Sequence, residues 1–386
     1  MERGSNALRN VGLNVAGIFS GIGGFELAFH TMGAPSILVC ESDPAAQRIL
    51  EAHFPHSVLI PDIRDLKRLP PSVNVVCAGF PCQDLSMAGG KNGIDGARSS
   101  IVRRLFDLLS ASPVEWVILE NVYFMLHLRG GHAMSVIAEA LEKLGYRWAY
   151  RTIDTLSFLP QRRRRVFIVA SLSNDPRRVL FDSESTAVEE RAKPITLDRP
   201  VGFYWTEGRS GVGLASDSIP PLKGGSGLGI PSPPAILLPD GRLGTPSLRD
   251  CEKLQGFFQG WTDPGHSANG RADQRWRLVG NAVSVPVVKW IASRISKTSW
   301  PAVPGGTQPL EFNQNWPAAA FNVDGRRFMH RVNERIPGAS LGLLDLVQDE
   351  LKPLSERAIR GFLSRAREGR LSFPEGFLKR IEACLP

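Results

Sequence analysis

The run Leu13-Asn14-Val15-Ala16-Gly17-Ile18-Phe19 has the composition of a buried strand. Ser20-Gly21-Ile22-Gly23-Gly24 turns it sharply into a helix over Phe25 to Met32, closed by Gly33 at the C′ position. The same alternation returns down the chain. Ile37-Leu38-Val39-Cys40 is a second strand, and Asp43-Pro44 caps a helix over 45–53. Leu59-Ile60, residues 73–78 and Trp116-Val117-Ile118-Leu119 are further strands. Helices are expected at 99–110 and 133–144, and a strand pair near 146–154 and 166–170. Strands separated by helices need crossover connections, which produce a mostly parallel sheet covered on its faces. The chain is therefore read as α/β, with a doubly wound sheet.

In such a sheet ligands bind beyond the carboxyl ends of the strands, and there the reactive residue types collect. The Gly21–Gly24 turn lets backbone approach a ligand closely. It is not a nicotinamide fingerprint, because that pattern requires glycine at position 26 and Glu26 stands there. Glu41 ends the second strand, placed to accept hydrogen bonds from ribose hydroxyls, and Asp62 follows the third, suited to an adenine amino group. Gly79-Phe80-Pro81-Cys82-Gln83-Asp84-Leu85-Ser86 sets Cys82 just past the fourth strand as a candidate nucleophile. A stretch through Gly89, Gly90, Gly93 and Gly96 follows it as a candidate lid. Glu120-Asn121-Val122 ends the fifth strand. Gln161-Arg162-Arg163-Arg164-Arg165 then runs into the apolar Val166-Phe167-Ile168-Val169, so alternation sends two of the arginines inward.

At 386 residues the chain has room for two or three domains. Its formal charge of +8 suits an acidic polymer as partner. Five widely spaced cysteines without a C-x-x-C pair argue against a disulfide framework or a zinc site, and no metal is expected. No run approaches about 18 apolar residues and no signal peptide is legible, so a cytoplasmic protein without a membrane partner is expected.

Composition changes after residue 175: between Pro200 and Pro246 there are ten glycines and eight prolines with little periodicity. That stretch reads as loops and short strands that display side chains. Helical structure returns at 248–257, closed by Gly256. Leu278-Val279-Gly280-Asn281-Ala282-Val283 leads into a helix over 284–296. Beyond Trp300 the chain is first Pro-rich, then helical. Ser355 caps a helix with Ala358, Ile359, Phe362, Leu363 and Ala366 as its core stripe.

Taken together, these stretches resemble the cytosine-5 DNA methyltransferases in sequence and in order. Phe19–Gly24 is similar to their first motif, and Gly79–Gln83 to the nucleophile motif. Glu120-Asn121-Val122 is similar to the E-N-V motif, and Gln161, Arg163 and Arg165 to Q-x-R-x-R. Arg249, Glu252, Leu254, Gln255, Gly256 and Phe257 resemble the ninth motif, and Gly280-Asn281-Ala282-Val283 the tenth. The resemblance covers roughly 13–296.

It implies a Rossmann-like, S-adenosylmethionine-dependent methyltransferase sheet over 13–190 and a small, irregular target-recognition region over 191–247. A return segment over 248–296 completes the catalytic domain, and a helical C-terminal extension spans 300–386. It also implies Cys82 as the thiolate that adds to carbon 6 of cytosine, and Glu120 as the carboxyl group at ring nitrogen 3. Asn121 orients that segment, and Arg165 with Arg163 binds the base carbonyl and adjacent backbone. For the cofactor it implies Phe19, Ser20, Gly21, Gly23, Gly24, Glu41, Asp62, Ile63, Pro81 and Asn281.

The partner implied is double-stranded DNA, met by a monomer associated with the nucleoid, with a cognate restriction endonuclease as functional companion. Departures from the family pattern are Asp84-Leu85 after the nucleophile and Pro221-Leu222, where a Thr usually precedes a branched residue. Two other readings share the scaffold: an RNA cytosine-5 methyltransferase, and a DNA-binding regulator without the chemistry. The second has no need of Cys82, Glu120 and Arg165 together.

Overall fold

A computed structural model of the chain describes residues 12–80, 99–181, 194–209, 211–225, 233–266, 274–297, 308–310, 315–337, 341–369 and 371–386. Two compact units are built from interleaved stretches. One comprises residues 1–153, 165–187 and 285–334, and the other 154–164, 188–284 and 335–386.

The first unit is organised on a sheet. β1 (Val15–Ile18), β2 (Ser36–Cys40), β3 (Val58–Ile60), β4 (Val75–Gly79) and β5 (Trp116–Val122) lie in the order β5-β4-β1-β2-β3, all parallel. β6 (Arg147–Asp154) and β7 (Arg164–Ser171) extend it, β7 antiparallel to β5. Val75, Val76, Cys77 and Ala78 are all fully buried, as befits a strand covered on both faces. Ile18, Val76, Leu105, Val117, Leu141 and Trp148 share one core. The helix Gly24–His30 packs against the helix Val285–Ile295. Asp43 caps Pro44–His53, accepting from the amides of Ala45 and Ala46.

Strand order fixes where the site must lie. From β1 the chain steps to β2 and β3 on one side, then returns to put β4 on the other. The crevice beyond β1 and β4 is thus a topological switch point, where ligands bind in open α/β sheets. β1 leads into Phe19–Gly24, and β4 leads into Phe80.

The second unit carries β8 (Val201–Phe203), β9 (Ala215–Ser216), β10 (Ala235–Leu237) and β11 (Leu243–Thr245). Farther on, β12 (Gln308–Pro309), β13 (Ala319–Val323) and β14 (Arg326–Met329) rejoin the first sheet, β13 pairing antiparallel with β6. β15 (Lys352–Pro353) then pairs with β11, giving the second sheet the order β15-β11-β10-β8-β9. Strands this short cannot close a core alone. The C-terminal helices supply the missing surface. Phe203 meets the Phe362 ring at 5.0 Å and the Phe377 ring at 5.2 Å between centroids, and Val201, Leu237, Ile359 and Leu363 join them. Ser355 caps Glu356–Glu368 through the Ala358 amide.

The compact units therefore do not follow the linear segments read from the sequence. Residues 248–284 pack in the second unit, residues 285–296 in the first, and the C-terminal extension is shared between both. That extension contributes strands to both sheets in addition to its helices. No helix among the described residues is long and apolar enough to cross a membrane.

Candidate active site

At the end of β1, Phe19 adopts φ +60°, a left-handed conformation that costs a non-glycine residue about 1–3 kcal/mol. Gly21 and Gly23 follow at φ +56° and +85°. A Cβ on Gly23 would also stand 2.5 Å from the Phe54 ring, so glycine is required there for two reasons. The turn is tied to β2 by the Ser20 amide, which donates to the Cys40 carbonyl at 3.0 Å. Glu41 is held by two amides: one carboxylate oxygen accepts from Gly21 and the other from Asp43, each at 2.8 Å. Each oxygen keeps acceptor capacity for a ligand. Phe19, Ser20, Gly21, Gly23, Gly24 and Glu41 thus form one constellation in the first unit.

The remaining cofactor expectations are distributed differently. Asp62 does not stand free at its strand end. The Arg64 fork holds its carboxylate, Nε at 2.9 Å and Nη2 at 2.5 Å, and keeps it below the usual carboxylate range. Ile63 is buried in the main core. Asn281 ends the helix Arg275–Asn281 in the second unit and is exposed, its Oδ1 2.9 Å from where a Cβ on Gly224 would sit. Pro81, Cys82 and the glycine-rich stretch after them lie outside the described residues.

The reactive edge is formed by β4, β5 and β7. Glu120 pairs in register with Gly79, and its Oε2 lies 3.6 Å from the position a Gly79 Cβ would take. Val122 pairs with Arg165, so Glu120 and Arg165 are diagonal neighbours across the two strands. Arg165 Nε reaches Glu120 Oε1 at 3.2 Å, with both side chains less than a fifth exposed. Asn121 is buried beside them. Its Nδ2 donates to the Phe80 carbonyl at 3.0 Å and its Oδ1 accepts from the Val122 amide at 2.8 Å. The backbone just ahead of Pro81 is thereby fastened to the strand that carries Glu120.

Arg163, expected beside Arg165 at the base, has a different setting in the structure. It is 1% exposed, and its guanidinium donates to the carbonyls of Leu222 at 2.9 Å, Gly280 at 3.2 Å and Ala282 at 2.8 Å. Its donors serve backbone and tie the chain around 222 to the chain around 280, where the Ala282 carbonyl also accepts from Gln255 Nε2 at 3.3 Å. A Cβ on Gly280 would stand 2.2 Å from the Lys223 carbonyl carbon. Gln161, fully buried, donates to the Leu254 carbonyl at 2.8 Å and accepts from the Leu222 amide at 2.9 Å. Gln255 donates to the Val279 carbonyl at 2.8 Å. Glu252 receives the Gly260 amide at 2.6 Å and the Thr262 amide at 2.8 Å. Sequence reasoning matched Gln161, Glu252 and Gln255 to motifs without giving them work. The signal available was their type, since buried glutamine and glutamate must find partners.

Residues 13–201 match the C-5 cytosine-specific DNA methylases. The Type II methyltransferase M2.BsuMI of Bacillus subtilis is 42% identical over 387 residues, spanning 96% of this chain and 98% of that protein. The chain belongs to the C-5 cytosine-specific DNA methylases. The Type II methyltransferase M.DsaV of Dactylococcopsis salina is 29% identical, over 72% of this chain and 84% of its own. Among solved structures, the Entamoeba histolytica methyltransferase EhMeth shares the fold, with a TM-score of 0.51 and 16% identity over 73% of this chain and 97% of its own. The chain is accordingly a DNA (cytosine-5-)-methyltransferase that takes its methyl group from S-adenosylmethionine. The turn fits that cofactor: Glu41 offers acceptors to a ribose, and the buried Glu26 carboxyl against Ser20 has no cation beside it among the described residues.

Proposed function

We propose that this chain methylates cytosine within one specific duplex sequence, as the modification enzyme of a restriction-modification system. The reaction runs through a covalent adduct of Cys82 with carbon 6 of a base flipped out of the duplex. The observation that carries this reading is the Glu120–Arg165 pair, set at the switch point where Asn121 grips the carbonyl of Phe80. Cys82 is two residues further on in the sequence.

Carbon 5 of cytosine is a poor nucleophile. A thiolate of Cys82 adding to carbon 6 turns the ring into an enamine, with the displaced electron pair drawn toward ring nitrogen 3. Glu120 hydrogen-bonds or protonates that nitrogen. Arg165 holds the Glu120 carboxyl in place, and its guanidinium binds the base carbonyl. S-adenosylmethionine supplies the electrophilic methyl group that carbon 5 attacks. A base then removes the carbon-5 proton and the Cys82–carbon 6 bond breaks. Extrusion of the base costs a few kcal/mol. Arg163 acts at one remove, by locking residues 222 and 280–282 together.

For the cofactor, Phe19 packs on adenine, Glu41 takes the ribose hydroxyls, and Asp62, Ile63 and Pro81 border the adenine. Asp62 exchanges its exposed Arg64 contact for the adenine amino group. Asn281 completes the set of cofactor residues. The enzyme acts as a monomer, and its endonuclease is a functional rather than a physical partner.

A duplex carrying 5-fluorocytosine at the target tests the mechanism, because fluorine cannot leave as a proton. Wild-type protein with cofactor is expected to be trapped in a band stable to denaturant, and Cys82→Ala is not. Methyl transfer surviving in Cys82→Ala would refute the nucleophile. Bisulfite sequencing of DNA from cells expressing the chain identifies the target.

A further inference from the structure

Glu26 lies fully buried in the first turn of Gly24–His30, directly behind the glycine turn. Among the described residues its carboxyl meets only the buried Ser20 hydroxyl and its own amide, with no cation beside it. The carboxyl occupies the space left by a missing side chain: a Cβ on Gly17 would stand 1.7 Å from Glu26 Oε1 and 2.6 Å from Ser20 Oγ. Gly17 pairs in register with Cys77 of β4, whose buried thiol is pushed up by its burial and by Glu26. Burial pushes the Glu26 carboxyl up to about 7, its own amide and Ser20 pulling the other way and Glu41 adding to the rise. None of these neighbours is a cation. On the packed helix Val285–Ile295, Lys289 is exposed and Arg294 gives its guanidinium to the carbonyls of Val179 and Arg178.

A fully buried carboxyl with no cation beside it among the described residues is a candidate partner for a positive charge brought by a ligand. S-adenosylmethionine carries a positive sulfonium, and the product S-adenosylhomocysteine carries a neutral sulfur in its place. We propose that Glu26 is the countercharge behind the turn, lodged over Gly17 and against Ser20, that makes this site favour the cationic cofactor over its neutral product. This rests on the proposed seat of the cofactor at Phe19–Gly24. On binding, Glu26 gives up its proton to solvent and the carboxylate faces the sulfonium. Once the methyl group has left and the charge with it, the carboxyl takes a proton back and the product is held less tightly.

Calorimetric titration of the intact protein with each ligand tests the idea. Glu26→Gln keeps the shape and removes the charge. It is expected to weaken S-adenosylmethionine about tenfold while leaving S-adenosylhomocysteine within about twofold. Glu26→Asp keeps the charge and retains the preference. Gly17→Ala drives the carboxyl out and loses the preference as Glu26→Gln does. Equal weakening of both ligands by Glu26→Gln, or no change in either, would overturn the proposal. Glu41→Ala separates it from the reading beneath: if that variant binds both ligands like wild type, the seat itself is misplaced.

Discussion

Arg163 and Arg165 belong to one motif, two residues apart, yet their surroundings have little in common. Arg165 keeps some exposure and spends one nitrogen on a carboxylate, Glu120 Oε1 at 3.2 Å. Arg163 is sealed from solvent and spends its terminal nitrogens on the carbonyls of Leu222, Gly280 and Ala282. The first pairs with the proposed catalytic carboxylate, while the second closes a seam in its own unit. Two arginines that look interchangeable in the sequence therefore have different partners.

The contrast is broken most easily at Arg165. Arg165→Ala is expected to slow methyl transfer about 10²–10³-fold, the usual cost of one charge-stabilising donor, without lowering the melting temperature appreciably. Tritiated-methyl incorporation and a thermal melt on one preparation check this; a variant that melts early would put Arg165 in the structural class as well. Arg163→Lys is expected to do the reverse. A lysine cannot serve three carbonyls in a fork, so urea unfolding should show a loss of about 3 kcal/mol, and the remaining folded enzyme should keep its affinity for cofactor.

Glu26 extends the comparison to a buried carboxyl with no cation beside it among the described residues. Its folded form holds a proton up to about pH 7, whereas an ordinary glutamate releases it near 4.5. The folded state thus binds more protons across that window, and stability falls as pH rises through it, by up to roughly 3 kcal/mol, then levels off. In cofactor-free protein, urea unfolding at pH 5 and pH 8 should show this slope in wild type and a smaller one in Glu26→Gln. A slope unchanged by the substitution would assign it to other groups. Smallest is Gly280→Ala, where the new methyl meets the Lys223 carbonyl carbon and the seam must part. About 2 kcal/mol is expected in the same assay, and the double variant with Arg163→Lys should lose no more than about 3 kcal/mol, as Arg163→Lys does alone, because both act on one contact.

The first five strands were legible because apolar runs, turns and helix caps agree with one another between Val15 and Val122. The acidic residues at the strand ends followed from the same pattern, and Glu120 stands at the edge that pattern predicts. What the sequence did not disclose depends on contacts distant along the chain. Nothing local to Arg163 announces that residues 222, 280 and 282 will need its hydrogens. The second sheet is made of strands two or three residues long, too short for an alternation to register. β13 and β14 follow a Pro-rich passage and gain their regularity only by lying against β6. Glu26 was read merely as the residue that rules out a nicotinamide turn, since burial cannot be seen from a turn alone.

The interleaving of the two units bears on how the protein is made. A ribosome that has synthesised the first 300 residues has completed neither unit. β13 has yet to pair with β6, and the helix Glu356–Glu368 has yet to cover Phe203. The nascent chain therefore acquires its working form only near or after release. A premature stop codon between Glu334 and Glu356 would leave the first unit complete and the second sheet uncovered, a product for the quality-control proteases rather than a partially active enzyme.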